Sequence, residues 1–242
     1  MDILKDTKIN FIGKRYYAFI FSAVLALVGI IAAVFIPLGK ANLGIDFTGG
    51  FAIQLKFEKP FAMENARSVL DKAGFKDAEL QQFAKGNQLL IRLKNAEGDL
   101  KVTSDNLTEV FTQSFADNKF IIESNAAVGP TVGNKLQKDA LWAVGISLLG
   151  ILIYVAWRFE LIFGIAAVIA TFHDVLAVLG IFYIMNKEIN LLIITALLTL
   201  AGYSLTDTVV IFDRIRENLR KRGKEALEGL INRSVNEVLS RT

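Results

Sequence analysis

Hydrophobic and polar positions divide the chain into two kinds of segment. Four stretches carry almost no charge: Tyr16 to Leu38, Ala140 to Trp157, Leu161 to Met185 and Ile189 to Phe212. Each has about the 20 apolar residues that a helix needs to cross a bilayer. Between the first and second stretches the pattern changes. Phe51 to Glu58 alternates apolar with polar, which predicts a strand. Pro60 to Gly74 places Ala66, Val69, Leu70 and Ala73 at helical spacing and ends on glycine. Ala78 to Phe83 and Gln88 to Leu93 read as strands joined by Lys85-Gly86-Asn87, a hairpin signal. Ser104 to Phe115 puts Leu107, Val110, Phe111 and Phe115 on one helical face, and Lys119 to Val128 reads as a last strand. The order β-α-β-β-α-β is that of a ferredoxin-like fold.

The predicted fold class is therefore a multi-pass α-helical membrane protein with four transmembrane helices and one inserted α+β domain. Residues 1–39 form an N-terminal segment with the first span, and 40–137 the inserted domain. Residues 138–213 hold the second to fourth spans, and 214–242 an amphipathic segment with Ile215, Leu219, Leu227, Leu230, Ile231, Val235 and Val238 at helical spacing. Charge orients this layout. Lys5, Lys8, Lys14 and Arg15 precede the first span, and Arg214, Arg216, Arg220, Lys221, Arg222 and Lys224 follow the fourth. The positive-inside rule puts both ends in the cytoplasm and the inserted domain outside it. Trp142 and Trp157 fall where interfacial aromatic belts are expected. Arg158 and Glu160 mark a short turn between the second and third spans. The charges of residues 214–242 are expected to face solvent or lipid headgroups.

Composition removes several classes of function. The 242 residues are 53% hydrophobic and 21% charged, with a net charge of +3 too small to suggest nucleic-acid binding. With no cysteine and one histidine there is neither a disulfide framework nor a cysteine- or histidine-rich metal site. The inserted domain has no nucleophile-plus-base pair and no phosphate loop, so it reads as a binding or mechanical module and not an enzyme.

The candidate chemistry lies inside the spans. Asp207 sits in the fourth, about one and a half turns before charge resumes. A carboxylate at a helix centre in lipid costs about 2.5–3.5 kcal/mol, and such groups usually line a protein interior or a water path. Tyr203 and Ser204 precede it by four and three residues, which sets a polar strip on one face. That strip suits a proton or ion site; the alternative is a hydrogen bond that packs one helix on another. His173 and Asp174 lie near the middle of the third span, and either shuttle protons or specify packing. Gly44-Ile45-Asp46-Phe47-Thr48-Gly49-Gly50 predicts a sharp path into the first strand, with Asp46 bonding to nearby backbone in a turn. Gly129-Pro130 breaks the last strand before the next helix.

These motifs resemble those of the SecD/SecF family of protein-translocase subunits, and SecF within it, a group related to RND-type transporters. The resemblance rests on the Gly44–Gly50 motif, Val128-Gly129-Pro130, His173-Asp174, the block from Gly202 through Asp207, Asp213, Arg214 and Arg216 to Asn218, Ser234-Val235-Asn236, and Leu239-Ser240-Arg241-Thr242. It implies a bacterial inner-membrane subunit that acts with SecD, the SecYEG channel and the SecA motor, with YajC and YidC as further partners. Such a subunit handles exported unfolded polypeptide and is driven by the proton gradient without a cofactor. The family's intramembrane aspartate matches Asp207, and its arginine at the start of the next helix matches Arg241. The resemblance also implies six spans, two of which would follow Thr242. A small-molecule or lipid exporter subunit of the same superfamily and a purely structural assembly subunit are the alternative readings.

Overall fold

The computed structural model describes residues 7–36, 38–83, 86–94, 100–158, 161–221, 223 and 225–241. Lys5, Lys85, Glu160, Arg222, Lys224, Thr242 and the side chain of Arg158, all named above, lie outside the described residues.

The chain forms two compact units. One comprises Leu43–Leu141 with Glu188–Leu191. It opens with a single helical turn, α2 (Ile45–Thr48), which enters β1 (Gly50–Phe57) through Gly49 and Gly50 at φ 73° and 126°. A Cβ on Gly50 would lie 2.0 Å from the Leu93 carbonyl oxygen, so only glycine fits here. Helix α3 (Met63–Lys72), strands β2 (Glu79–Gln82) and β3 (Gln88–Lys94), helix α4 (Leu100–Ser114) and strand β4 (Phe120–Val128) follow. The sheet order is β2-β3-β1-β4 and every pairing is antiparallel. Alternation works as predicted: Phe51, Ile53, Leu55 and Phe57 of β1 and Leu89 and Ile91 of β3 turn inward onto Ala66, Leu70, Leu107 and Phe111. Helix α3 is shorter than the predicted span because Pro60 stays outside it, whereas α4 starts four residues before Ser104. Strands β2 and β4 are the two edges of the sheet, and Ile121 and Ile122 on β4 are exposed.

The other unit comprises Met1–Asn42, Trp142–Lys187 and Leu192–Thr242. Its helices are α1 (Arg15–Phe35), most of α5 (Pro130–Arg158), α6 (Leu161–Ile184), most of α7 (Leu191–Arg220) and α8 (Leu227–Val238). Among the described residues four helices are long and apolar enough to cross a membrane: Ile12–Phe35, Pro130–Trp157, Leu161–Ile184 and Leu191–Arg220. Two run beyond the predicted apolar stretches. Helix α5 starts at Pro130, since proline suits a first helical position, and α7 continues eight residues past Phe212 as an amphipathic extension. Val155, Ala167, Phe163, Leu205, Val209 and Phe212 form a cluster between α5, α6 and α7.

Candidate functional site

Helices α1 and α6 touch at their glycines. A Cβ on Gly29 would lie 2.1 Å from the Leu176 carbonyl oxygen, and one on Gly180 would lie 2.8 Å from the Gly29 nitrogen. Small residues at a crossing allow such backbone approach in lipid. Seven residues earlier on each helix, two turns, the same faces carry Ser22 and His173. The Ser22 Oγ to His173 Nε2 distance is 2.5 Å. His173 Nδ1 lies 3.0 Å from Asp174 Oδ1, and the Ser204 hydroxyl donates to Asp174 Oδ2 at 2.7 Å. Ser22, His173, Asp174 and Ser204 thus form one hydrogen-bonded chain across α1, α6 and α7.

The roles at His173 follow from its tautomer and from the charge on Asp174. An ionised Asp174 only accepts, so the His173 Nδ1–H and the Ser204 hydroxyl both donate to it. Neutral His173 then has Nε2 free to accept from Ser22. Protonation at Nε2 would turn that contact around, with the serine oxygen accepting. The arrangement can therefore take up or release a proton by rotating one hydroxyl. The side chains of His173 and Asp174 are 30% and 45% exposed, so this chain alone leaves the acid open on one side.

The other predicted site residues are placed differently. Asp207 is half-buried on α7 and has no hydrogen-bond or ion-pair partner among the described residues. Tyr203 is 71% exposed. Of the polar strip predicted for Tyr203, Ser204 and Asp207, Ser204 turns to Asp174 on α6. Arg241 is exposed in the turn after α8, where its N–H donates to the Val238 carbonyl at 2.8 Å. Among the described residues it makes no contact with Asp207.

Asp46 bonds to backbone, but not locally: its Oδ2 accepts from the Leu191 N–H at 2.9 Å, 145 residues away. The remaining glycine-motif residues shape the inserted unit. A Cβ on Gly49 would lie 2.8 Å from Pro130 Cα, next to Gly129, and Gly44 is buried.

Most of the described charges after the fourth span are exposed, as expected from sequence, but Arg214, Glu217 and Glu237 also belong to a clamp. Buried Asn218 donates to Ser234 Oγ at 2.9 Å and to Glu237 Oε2 at 2.8 Å. Arg214 donates to Glu237 and to Glu217, each at 2.6 Å. On α8, Asn236 exchanges two 2.9 Å bonds with the backbone of Ile9, and Asn232 accepts from the Ile12 N–H at 3.0 Å. Burial pushes the Glu237 carboxyl up, but the bonds from Arg214 and Asn218 outweigh it, and the group lies below the usual carboxylate range. Asp213 and Arg216 are half-buried beside this clamp.

Sequence reading missed Ser22, although it is the one hydroxyl between Tyr17 and Leu38. A single polar group in an apolar span is the signal that could have found it.

Four membrane-length helices, an inserted α+β domain and a polar chain across the helical unit define a multi-pass membrane protein. The family described as protein export membrane protein SecD/SecF, C-terminal, matches residues 107–242, and the SecD/SecF GG motif matches residues 38–61. The chain is 50% identical over 244 residues to protein translocase subunit SecF of Thermodesulfovibrio yellowstonii, covering 100% of this chain and 80% of that one. It is 38% identical over 242 residues to the SecF of Vibrio alginolyticus, covering 99% and 76%. A solved structure of SecDF from Thermus, described as a translocon-associated membrane protein, superposes with a TM-score of 0.80 at 34% identity. It covers all of this chain, which spans 32% of the SecDF chain. SecDF in a super-membrane-facing form gives a TM-score of 0.60 at 34% identity over 98% of this chain and 32% of that one. This chain belongs to the SecD/SecF family of protein export membrane proteins, on its SecF side.

Proposed function

We propose that this chain is an accessory subunit of Sec-dependent protein export, paired with SecD and driven by the proton-motive force. The observation that carries the reading is the chain Ser22–His173–Asp174–Ser204, a protonatable path built across three membrane-length helices of a SecF-family protein. Its partners are SecD, the SecYEG channel and the SecA motor, with YajC and YidC as further neighbours. It acts on an unfolded polypeptide during late translocation, without chemical catalysis and without a cofactor. It lies in the bacterial inner membrane with residues 214–242 and the N-terminus in the cytoplasm and the inserted domain outside. The open side of Asp174 and the half-buried Asp207 are where helices of SecD would close around the acids. The outer edge of β4 offers the inserted domain of SecD a strand to pair with.

One proton crossing 100 mV provides about 2.3 kcal/mol, so each cycle needs several protons or a motion of low cost. The test is export into vesicles containing the full-length SecD–SecF pair with the channel and motor, with and without a proton gradient. Gradient-dependent stimulation is expected in the native complex and not in Asp174→Asn or Asp207→Asn, with assembly intact. Full stimulation in both variants overturns the proton reading, and loss of assembly in both favours a purely structural subunit.

A further inference from the structure

Residues 188–191 join α6 to α7, yet they are bound into the inserted unit. Leu43 and Ile189 form a parallel bridge, and the Gly44 N–H donates to the Ile189 carbonyl at 2.9 Å. Arg92 of β3 pairs with Glu188 at 2.6 Å, with both side chains largely covered. Removing one partner of such a pair would strand the other charge. Asp46 then accepts from the Leu191 N–H, the first residue of α7. The first N–H groups of a helix have no acceptor within it, and a carboxylate at that end also meets the positive end of the helix dipole. A neighbouring residue ordinarily supplies such a cap. For the Leu191 N–H a motif 145 residues earlier in the chain supplies an acceptor. Helix α7 then carries Ser204 and Asp207, the latter about 24 Å further along at 1.5 Å per residue.

We propose that Asp46 is a positioning residue of the export cycle. It fastens the start of α7 to the inserted domain, so that displacement of α7 is passed to that domain and not lost in a slack turn. Bridge, ion pair and cap together make the strap. Its consequence for export rests on the proton-driven reading above; the fastening itself does not.

The experiment uses the full-length chain assembled with SecD and compares Asp46→Ala, Asp46→Asn, Arg92→Glu and the swap Arg92→Glu/Glu188→Arg. Asparagine keeps an acceptor oxygen and alanine does not. Amide exchange at Leu191 is expected to rise at least tenfold in Asp46→Ala and to stay within about twofold of native in Asp46→Asn. The chain has no cysteine, so spin labels placed through Ser68→Cys on α3 and Arg220→Cys on α7 report one distance. That distribution is expected to broaden at least twofold in Asp46→Ala and Arg92→Glu, and to narrow again in the swap. Proton flux is expected within about twofold of native in Asp46→Ala, while gradient-driven export falls at least tenfold. Unchanged exchange, an unchanged distribution, or native export in Asp46→Ala overturns the proposal. A native complex without any gradient-driven export overturns the proton reading instead, and exchange and label distance then decide the strap.

Discussion

Ser204 of α7 donates its hydroxyl to Asp174 of α6 at 2.7 Å, and this bond joins the helix carrying Asp207 to the chain's one histidine. Ser204→Ala removes one hydrogen-bond donor to the Asp174 carboxyl, a bond of about 0.5–1.5 kcal/mol. The expected outcome is a tenfold or greater loss of gradient-dependent export, with Ser204→Thr near native because it keeps the hydroxyl. Ser204→Val, close in shape to threonine, should behave like alanine. Equal activity of Val and Thr variants would remove Ser204 from the proposed proton path.

Ser22 tests the other end. Ser22→Ala leaves His173 Nε2 without its partner but keeps the His173–Asp174 bond. Export should fall, but less than in Asp174→Asn. The measurement is gradient-driven export into vesicles; a native rate would show that Ser22 only packs α1 on α6.

The glycine crossing sets the geometry of that bond. Gly29→Leu would drive a side chain into the Leu176 backbone, where even a Cβ comes within 2.1 Å. Helices α1 and α6 must separate, and Ser22 leaves His173. Overpacking of this kind costs typically 1–3 kcal/mol. A lower midpoint of thermal unfolding together with lost export is expected, whereas Gly145→Leu, with open space around it, should change neither.

The α7–α8 clamp carries a pH prediction. The Glu237 carboxyl is held below its ordinary value, so its contribution is complete at neutral pH and above the unfolded-state value. It is lost only as pH falls through the lower, folded value. Exchange of the Ile9 and Ile12 amides should therefore stay constant from about pH 8 to 5, after correction for intrinsic rates, and rise below the normal carboxylate range of about 4.3. Asn218→Leu, which removes both donors from a buried site, should expose those amides at neutral pH.

Apolar runs and alternation were enough to find the spans and the sheet, because burial in lipid or in a core imposes a period on the sequence. Phe51, Ile53, Leu55 and Phe57 show this directly. The polar contacts were less legible. Periodicity placed Tyr203, Ser204 and Asp207 on one helix face but could not say which neighbour each faces, and Ser204 turned to Asp174. Asp46 looked like a turn residue because local bonding is the usual use of aspartate after glycine; its acceptor role at Leu191 depends on a contact between distant segments. The bonds that join Asn232 and Asn236 to the backbone of Ile12 and Ile9 depend on distant segments in the same way. Arg241 was placed by resemblance alone, and in this chain it lies in an exposed turn.

Strand β4 runs for nine residues with Ile121 and Ile122 uncovered. An open edge of that length is a template for whatever extended backbone arrives first. A copy whose β4 stays uncovered is open to pairing with the strand of another copy, so whatever covers this edge also guards the subunit against self-association.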